Sequence, residues 1–450
     1  MPSFYIENFG CRASQADGAT LHGQLANRGL NPGSPATADY IVLNTCTVTA
    51  SADQEARATL RRIRRQNPHA KVLVTGCYAQ RAPEEVAALP GVTWVAGNSH
   101  KHTVADVLLA SSGRPASAPQ VGFIPLQALQ QPPATIHVGD IFAHTELFTA
   151  PVFGAGRDRT RPILKVQDGC DNRCSFCVIP SVRGQSRSRK LTNVIEDINA
   201  LALDGYQEVV LSGINLGRWG RDFKPASKFE TLVEAVLEQT ALPKLRISSV
   251  EPMDWSTTLI DLVRSSPRIA KHAHVPMQSG SDAVLRRMHR KYRPWHYREK
   301  IEAIRAAMPN AAIGADVMIG FPGETDAEFD ETRRMIEDLP FTYLHIFPFS
   351  ARPGTPAATA PNQVPVPISN ERIAVLRQVI AQKKLAFTRS FIGKTLPAIT
   401  LRNSAHDTSN AITDNYLKLH LAGRHEPNQW LQVRMEGEAN GILTGQPVTT

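Results

Sequence analysis

Short apolar runs alternate with stretches of helical character along residues 1–112. Runs of this length are typical of strands, and strands that alternate with helices predict βα units and a parallel sheet. The predicted strands cover residues 3–7, 40–44, 71–75 and 92–96, and the predicted helices cover residues 14–27, 50–66 and 82–88.

Three cysteines occupy matching places in this pattern. Cys11, Cys46 and Cys77 each come shortly after the carboxyl end of a predicted strand. Ligands bind at that edge of an open α/β sheet, so these cysteines, distant in sequence, can meet in space. Gly10 and Gly76 precede two of them, and glycine lets the backbone bend closely around a cofactor. Three ordinary buried cysteines are the alternative, but the equivalent placement favours a three-thiolate site.

A change of composition separates this region from a longer βα series. Residues 113–155 are rich in Pro, Ser, Ala and Gln, which predicts a linker or surface excursion with little regular structure. The following series has about six βα units, which predicts a partial barrel with its functional loops at the strand carboxyl ends. Its predicted strands cover residues 163–167, 208–212, 244–248, 272–277, 312–319 and 343–347, and its predicted helices cover residues 193–203, 229–239, 257–265, 295–307, 327–339 and 370–390.

The last sixty or so residues have a different pattern. TLPAITLR, NYLKLHL and WLQVRM alternate as strands do, and turn-rich segments separate them, which predicts a small antiparallel barrel. The predicted fold is therefore α/β with four parts: an N-terminal parallel α/β domain (1–112), a linker (113–155), a partial (βα)6 barrel (156–390) and a C-terminal antiparallel β-barrel (391–450).

The stretch KVQDGCDNRCSFCVIPSVRGQSRSRK, residues 165–190, carries the clearest chemical signal. Cys170, Cys174 and Cys177 form a C-x3-C-x2-C run directly after the first predicted barrel strand. A structural zinc takes four ligands, and no fourth Cys or His lies nearby. A 4Fe–4S cluster on three thiolates keeps one iron open for a substrate. The spacing and Phe176 resemble the signature of radical S-adenosylmethionine (SAM) enzymes, in which that open iron chelates SAM.

Four further stretches follow predicted barrel strands and could surround SAM. Their polar groups suit its ribose, amino group and adenine edge, and their glycines admit close backbone approach. Each stretch alone could be an ordinary turn. The candidate SAM-binding residues are Gly213, Asn215, Ser249, Glu251, Gln278, Asp316 and Gly320.

The charge of the chain permits a polyanionic partner. Its 450 residues have a formal net charge of +9, and nucleic acid is the obvious partner, although solubility alone explains such a charge equally well. Basic residues cluster in RATLRRIRRQ, RGQSRSRK and LRRMHRKYR. The first cluster favours a solvated helix face. The other two follow barrel strands, where phosphate contact is at least as good an interpretation.

Other classes of protein are disfavoured. No stretch approaches about 20 consecutive apolar residues, so no membrane span is predicted. The first residues, MPSFYIENFG, lack the pattern of a signal peptide, and six cysteines are too few for a secreted disulfide scaffold. We therefore expect a cytoplasmic protein, in a reducing compartment that suits an iron–sulfur site.

Nearly the whole chain resembles the radical SAM methylthiotransferases, which combine an N-terminal three-cysteine domain, a radical SAM core and a C-terminal TRAM domain. GCRASQAD, LNTCTVT and TGCYAQ resemble the first-domain motifs, and QDGCDNRCSFCVIPSVRGQSRSR resembles the core signature. HVPMQSGSDAVLRRMHRKY, GADVMIGFPGET and FPFSARPGTPAA are most similar to the MtaB-type branch, which acts on tRNA carrying N6-threonylcarbamoyladenosine 3′ of the anticodon. Ser14 stands where relatives often have Asn.

The resemblance implies a mechanism with two 4Fe–4S clusters and SAM. Cys170, Cys174 and Cys177 would hold the cluster that cleaves SAM, and the 5′-deoxyadenosyl radical would remove the hydrogen from C2 of the modified adenine. Cys11, Cys46 and Cys77 would hold a second cluster that carries sulfur, which a second SAM methylates before it joins C2. The implied partners are the tRNA anticodon stem-loop, an electron donor such as flavodoxin or ferredoxin, and a sulfur donor.

Three alternatives remain open from the sequence. The same chemistry could act on isopentenyladenosine in tRNA or on a ribosomal-protein side chain. A non-catalytic iron–sulfur or zinc protein that binds RNA is the third. The threonylcarbamoyl group offers a carboxylate, and Arg183, Arg187 and Arg293 are candidates to bind it in a bidentate manner.

Overall fold

A computed structural model describes residues 1–110, 133–143, 147–149, 160–405 and 408–448. The chain divides into two compact units. The first comprises residues 1–155, 168–171 and 177–185, and the second comprises residues 156–167, 172–176 and 186–450. The C-x3-C-x2-C segment is therefore divided, with Cys170 and Cys177 in the first unit and Cys174 in the second.

The first unit is built on a six-stranded sheet in the order β2-β1-β3-β4-β5-β6, and its strand pairs are parallel. The predicted parallel sheet is confirmed. Its strands are β1 (Ser3–Asn8), β2 (Asn31–Pro32), β3 (Tyr40–Thr45), β4 (Lys71–Gly76), β5 (Val92–Gly97) and β6 (Thr135–His137), and its helices are α1 (Arg12–Asn27), α2 (Ala50–Gln66), α3 (Cys77–Arg81), α4 (Pro83–Ala87) and α5 (Val104–Ala110).

Burial on both faces of this sheet explains why its central strands are continuously apolar. All six residues of β3 are buried, and two separate groups of apolar side chains cover its faces. Ile41 and Leu43 belong to one group, whereas Tyr40 and Val42 belong to the other. Such sandwiching is what a parallel sheet requires, because helices cover both of its sides.

Part of the predicted linker is a strand. Thr135–His137 forms β6 and pairs in parallel with β5, so the expectation of little regular structure is wrong for this segment. A three-residue strand at a sheet edge gives too short a pattern to detect in a Pro-rich sequence. Residues 113–132, 144–146 and 150–155 of the predicted linker lie outside the described residues.

The second unit contains the predicted partial barrel. Six parallel strands, together with the two-residue β8, form two sheets, of order β10-β9-β7-β8 and β11-β12-β13, which the bridges Leu245–Ile269 and Ser249–His274 join. The strands are β7 (Ile163–Asp168), β8 (Arg187–Ser188), β9 (Glu208–Gly213), β10 (Lys244–Ile247), β11 (His272–His274), β12 (Ala312–Ile319) and β13 (Tyr343–Pro348).

The helices around these strands follow the prediction closely. Two short helices, α6 and α10, were not predicted, and α6 belongs to the first unit. One large apolar core joins the barrel strands to their helices. The helices are α6 (Ile179–Arg183), α7 (Leu191–Leu203), α8 (Phe229–Gln239), α9 (Thr257–Ser265), α10 (Asp282–Arg287), α11 (Pro294–Ala307), α12 (Asp326–Asp338) and α13 (Val366–Arg389).

The chain ends in a closed five-stranded barrel, in the order β14-β15-β16-β18-β17. Its strands are β14 (Thr395–Ala405), β15 (Thr408–Thr413), β16 (Lys418–Ala422), β17 (Trp430–Ala439) and β18 (Ile442–Pro447). The predicted C-terminal barrel is confirmed, although the sequence indicated only three of these strands. The expectation of a wholly antiparallel barrel is wrong, because β16 and β18 pair in parallel. Closure removes the exposed edges that an antiparallel sheet otherwise presents. Within the described ranges, no helix is both long enough and apolar enough to cross a membrane.

Candidate functional site

The three cysteines of the first unit lie at the carboxyl ends of three adjacent strands. Cys11 follows β1, Cys46 directly follows β3, and Cys77 directly follows β4 as the first residue of α3. Because β1, β3 and β4 are neighbours in the sheet, these ends meet at one edge. All three thiols are free; Cys46 and Cys77 are buried and Cys11 is exposed.

Two glycines allow the neighbouring backbone to pack closely against Cys46 and the residue before it. Gly10 has φ +85°, and a Cβ added there would lie 2.5 Å from the Cβ and 2.7 Å from the Sγ of Cys46. Gly76 has φ +99°, and its added Cβ would lie 2.7 Å from the backbone N of Thr45. Both positions therefore exclude a side chain, and Gly10 does so because Cys46 occupies the space.

The thiols influence one another. Burial raises the pKa of the Cys46 thiol to about 12, and the neighbouring Cys77 and Cys11 add to the increase, because nearby thiolates repel each other. A bound cation would offset that repulsion. In the described part of the chain, no three His, Cys, Asp or Glu side chains are already gathered as a complete metal site. The donor chemistry nevertheless fits an iron–sulfur cluster, which Cys thiolates hold.

A buried ionic network lies beside these thiols. Arg183, at the end of α6, donates to Asp168 at 2.9 and 3.0 Å and to Asp17 at 3.1 Å. Lys101 donates to the same Asp17 oxygen at 2.8 Å. The Arg183 side chain is only 2% exposed, so the expectation that it binds a substrate carboxylate is wrong: its guanidinium already holds two carboxylates.

The C-x3-C-x2-C segment begins with a tight turn. Gly169 has φ +72°, and an added Cβ would collide with the carbonyl of Gln185. The Cys170 N–H donates to the carbonyl of Gly184 at 3.1 Å. This hydrogen bond joins the turn to the end of α6 and fixes the backbone at the first cysteine of the motif.

In the second unit, Cys174 is the acceptor for a buried arginine. Arg290 Nη1 donates to its Sγ at 3.3 Å, while Nη2 pairs with Glu251. Burial raises the pKa of Glu251, and the charge of Arg290 opposes that increase. One cation thus links the motif cysteine to a predicted SAM-binding carboxylate.

The predicted residues Gly213 and Asn215 lie together at the end of β9. Gln167, on neighbouring β7, accepts from the Asn215 N–H at 2.7 Å. A Cβ added at Gly213 would lie 3.0 Å from the Gln167 side chain. Ser249 follows β10 and forms a backbone bridge with His274. These positions occupy the carboxyl ends of adjacent strands, as predicted.

Gln278, Asp316 and Gly320 occupy different environments. Gln278 has φ 63° and a buried side-chain oxygen with no hydrogen-bond partner among the described residues, which suits a ligand contact. The Asp316 carboxylate accepts from His274 at 3.1 Å. Burial acts to raise its pKa, but the hydrogen bond and charge of His274 outweigh burial and lower it.

The local backbone structure requires glycine at position 320. Gly320 has φ +77°, its N–H donates to Glu324 at 3.1 Å, and an added Cβ would collide with Ser369. Arg372 in turn donates to the buried Glu324 at 2.6 Å. The turn after β12 is therefore fixed by an ion pair, and whether Gly320 also contacts SAM stays a prediction.

The basic run that contains Arg286 and Arg293 is mostly paired within the second unit. Arg287 makes two bonds with Glu328, at 2.9 and 2.8 Å. Arg286 and Arg293 both pair with Asp282, at 2.8 and 3.4 Å. These pairs neutralise part of the run, and its interpretation as a phosphate-binding cluster stays a prediction.

A different basic surface lies at the opposite end of the partial barrel. A cavity of about 910 Å³ opens beside the first residues of β12 and β13, between α13 and the C-terminal barrel. We call it the basal groove. Among the described residues its lining contains no Asp or Glu, and its Lys and Arg residues are Arg161, Arg377, Lys384, Arg402 and Lys418.

Most of these cations are available to a ligand. Arg161 pairs with the buried Glu208 at 3.3 Å. The other four are exposed and have no acidic partner in the described part of the chain. Tyr343 and Tyr416 add aromatic surface to the same lining.

Comparison with known proteins identifies the family. Residues 3–97 match the family described as "Uncharacterized protein family UPF0004", and residues 164–336 match the radical SAM superfamily. The chain is 35% identical over 396 residues to the threonylcarbamoyladenosine tRNA methylthiotransferase MtaB of Bacillus subtilis, covering 87% of this chain and 83% of that protein. It belongs to the radical SAM tRNA methylthiotransferase family.

Two further similarities are informative. The tRNA-2-methylthio-N(6)-dimethylallyladenosine synthase of Novosphingobium aromaticivorans is 31% identical over 453 residues, covering 99% of this chain and 97% of that protein. The solved structure of the radical SAM methyltransferase TsrM from Kitasatospora setae has a TM-score of 0.55 at 15% identity, covering 80% and 77% of the two chains. The latter supports the fold alone.

The cofactors of this methylthiotransferase are SAM and two 4Fe–4S clusters, as the resemblance implied. Six cysteines outside disulfide bonds, in two sets of three, match two such clusters in number and donor type. The UPF0004 match spans Cys11, Cys46 and Cys77, and the radical SAM match spans the other set.

Sequence reasoning missed Arg290, Lys101 and Asp17 as neighbours of the cysteines. Lys101 follows β5 and is 2% exposed, yet nothing around it in sequence distinguishes it from a surface lysine. Arg290 lies in a run of basic residues that hid its separate role. A long-range contact, not local spacing, defines each of these positions.

We expect Gly10→Ala to lower the iron bound after anaerobic reconstitution by about half, or about four irons of eight. The new Cβ would displace Cys46, whereas Gly29→Ala is a matched control. Gly29 has the same φ of +85° but no atom within 4 Å of an added Cβ. Equal iron contents in the two variants, measured by colorimetric assay, would contradict a role for Gly10 in shaping the cysteine site.

Proposed function

We propose that this methylthiotransferase adds sulfur and a methyl group at C2 of N6-threonylcarbamoyladenosine, 3′ of the anticodon in tRNA. The placement of Cys11, Cys46 and Cys77 at the ends of three adjacent strands carries the proposal, because it supplies a second cysteine site in addition to the radical SAM motif. The 35% identity to a protein named for the threonylcarbamoyl substrate supports the choice of adenosine.

The two sets of cysteines have different roles in the reaction. Cys170, Cys174 and Cys177 hold the cluster that serves SAM, and Cys11, Cys46 and Cys77 hold the cluster that serves sulfur transfer. When bound, these cofactors supply the radical chemistry that an unreactive aromatic C–H bond requires. The chain itself binds and orients the reactants and excludes water.

The loops after the barrel strands orient SAM. Gly213 lets its backbone approach the cofactor, and Asn215 and Ser249 supply polar groups nearby. Gln278 offers its unpartnered buried oxygen as an acceptor. Glu251 and Asp316 are the acidic candidates for the amino group, and Arg290 holds Glu251 in position.

Cysteine variants test this division. Changing Cys170, Cys174 and Cys177 together to Ala should remove about half of the eight irons and abolish SAM cleavage, since the open iron is lost. Cys46→Ala should still produce 5′-deoxyadenosine but no methylthio product. Iron analysis and chromatography of the nucleosides measure both. Full iron in the triple variant, or loss of SAM cleavage in folded Cys46→Ala, would contradict the assignment.

Substrate choice is tested by direct competition. The threonylcarbamoyl group carries a carboxylate that an arginine can bind, whereas the isopentenyl group is apolar. We expect conversion of threonylcarbamoyladenosine tRNA to exceed that of isopentenyladenosine tRNA by about tenfold or more. Mass spectrometry of the digested nucleosides measures both products. Preference for the isopentenyl substrate would assign the chain to the other branch.

Arg187 is our candidate for the contact with the threonylcarbamoyl carboxylate. Arg187 lies on β8, which borders the first barrel strand. It is half-buried, as a contact for a partly enclosed base should be.

The basal groove supports RNA binding by the C-terminal barrel. Exposed cations without acidic partners suit a phosphate backbone, and aromatic side chains beside them suit unpaired bases. The net charge of +9 acts in the same direction. The enzyme further requires an electron donor such as flavodoxin or ferredoxin and a sulfur donor, and we place it in the cytoplasm with its tRNA.

Lys418→Glu should weaken tRNA binding by about tenfold and reduce the slope of log affinity against log salt by about one, because a phosphate contact is lost. Arg434→Glu is the matched control. Arg434 is an exposed cation on β17 of the same barrel but lies outside the groove lining. Filter binding at several salt concentrations measures both. Equal losses in the two variants would contradict a specific role for the groove.

A further inference from the structure

Arg183 is buried where a positive charge is costly. Its side chain is 2% exposed, and two carboxylates surround it: Asp168 at 2.9 and 3.0 Å and Asp17 at 3.1 Å. A guanidinium loses its hydration in such a site unless hydrogen bonds and opposite charges replace it. Here they do so within the first unit, which also contains Cys11, Cys46 and Cys77.

A second buried cation shares this network. Lys101, 2% exposed, donates to the same Asp17 oxygen at 2.8 Å and to Asn44 at 3.3 Å. The two cations and the two carboxylates balance each other in formal charge. The four groups are therefore neutral as a set, and any negative charge on the neighbouring thiolates comes in addition to theirs.

Arg183 lies close to the thiols as well as to the carboxylates. It donates to the Ser14 hydroxyl at 3.2 Å, and that oxygen lies 3.7 Å from the Sγ of Cys11. Val182, the residue before it, packs against Cys77, and its carbonyl accepts from Asn98 at 2.7 Å. The same Asn98 amide approaches the Cys77 Sγ at 3.5 Å.

The charges of the carboxylates and the thiols act on Arg183. Burial acts to lower the pKa of Arg183, but the charges of Asp168, Cys77, Asp17 and Cys11 outweigh it and raise the pKa well above the ordinary value. The contacts through Ser14 and Val182 place this charge beside Cys11 and Cys77.

Stability alone is a weak explanation for this arrangement. Replacement of a buried ion pair by well-packed apolar residues is often neutral or stabilising, so the pairs need not be there for folding. Charge placed beside an iron–sulfur cluster, by contrast, sets its reduction potential. The short contact to Ser14 and the packing on Cys77 place that charge at the edge where the three strands end.

We propose that Arg183 is a positioning residue that tunes the sulfur-transfer centre of the first unit, by holding a fixed positive charge beside Cys11, Cys46 and Cys77. The inference rests on the proposed function for the identity of that centre. The charge favours the state of the centre with more negative charge, so its removal should make reduction harder. Loss of Asp17 should have the opposite effect, because it leaves Arg183 and Lys101 less neutralised.

The test is a redox titration of the reconstituted full-length enzyme followed by electron paramagnetic resonance, with the signal of the other cluster identified in a variant in which Cys11, Cys46 and Cys77 are changed together to Ala. In Arg183→Met we expect the ratio of reduced to oxidised first-unit cluster to fall about tenfold at a fixed potential, a shift of about −59 mV for one electron. Arg183→Lys, which keeps the charge, should stay near the wild-type value. Asp17→Asn should shift the potential in the positive direction.

Arg28→Met is the control. Arg28 is another ion-paired arginine of the first unit, 2.7 Å from Asp106, and it follows the carboxyl end of the 16-residue helix α1, whereas Cys11 precedes the amino end of that helix. Its removal should leave the potential unchanged. If Asp17→Asn does not fold, Asp168→Asn tests the same sign, since it removes the other carboxylate bound to Arg183.

The outcomes separate this inference from the proposed function. Unchanged potentials in Arg183→Met, equal shifts in Arg183→Met and Arg28→Met, or shifts of the same sign in Arg183→Met and Asp17→Asn would overturn the role of Arg183. An enzyme that keeps all its iron after Cys11, Cys46 and Cys77 are changed together to Ala would instead overturn the assignment of the centre itself. A tenfold change with full iron content supports both.

Discussion

The parallel direction of the strands is the constraint on which both candidate sites depend. In the first unit it brings together Cys11, Cys46 and Cys77 at the ends of three adjacent strands, although the first and the last of these cysteines are 66 residues apart in sequence. In the second unit it does the same for the loops after β9, β10 and β12. An antiparallel sheet would send alternate strand ends to opposite edges, and the same residues would be separated by a strand length.

The same constraint explains how much of the fold could be predicted. Long strands buried on both faces, such as β3 and β12, have continuous apolar runs, and their helices have clear periodicity. Cysteine placement followed directly from these elements. The short strands β2, β6 and β8, each two or three residues long, leave no periodic pattern, and α6 and α10 have fewer than two turns each.

Side-chain partners were harder to predict than the fold. Asp17 lies 84 residues from Lys101 and 166 residues from Arg183, so no local sequence pattern indicates that these side chains are in contact. Likewise Cys174 and Arg290 are 116 residues apart. These long-range ion pairs and hydrogen bonds form only when the βα units are assembled, because the partners lie in different elements of the fold.

The distribution of basic residues shows why a charge pattern in sequence is a poor guide to RNA binding. The dense runs that contain Arg183 and Arg287 are largely neutralised by carboxylates within the same unit. Four of the five basal-groove cations come from α13, β14 and β16, and these four have no acidic partner among the described residues. Phosphate is attracted by uncompensated charge, and compensation is a property of the folded chain. A dispersed set of unpaired cations can therefore outweigh a dense run that is already paired.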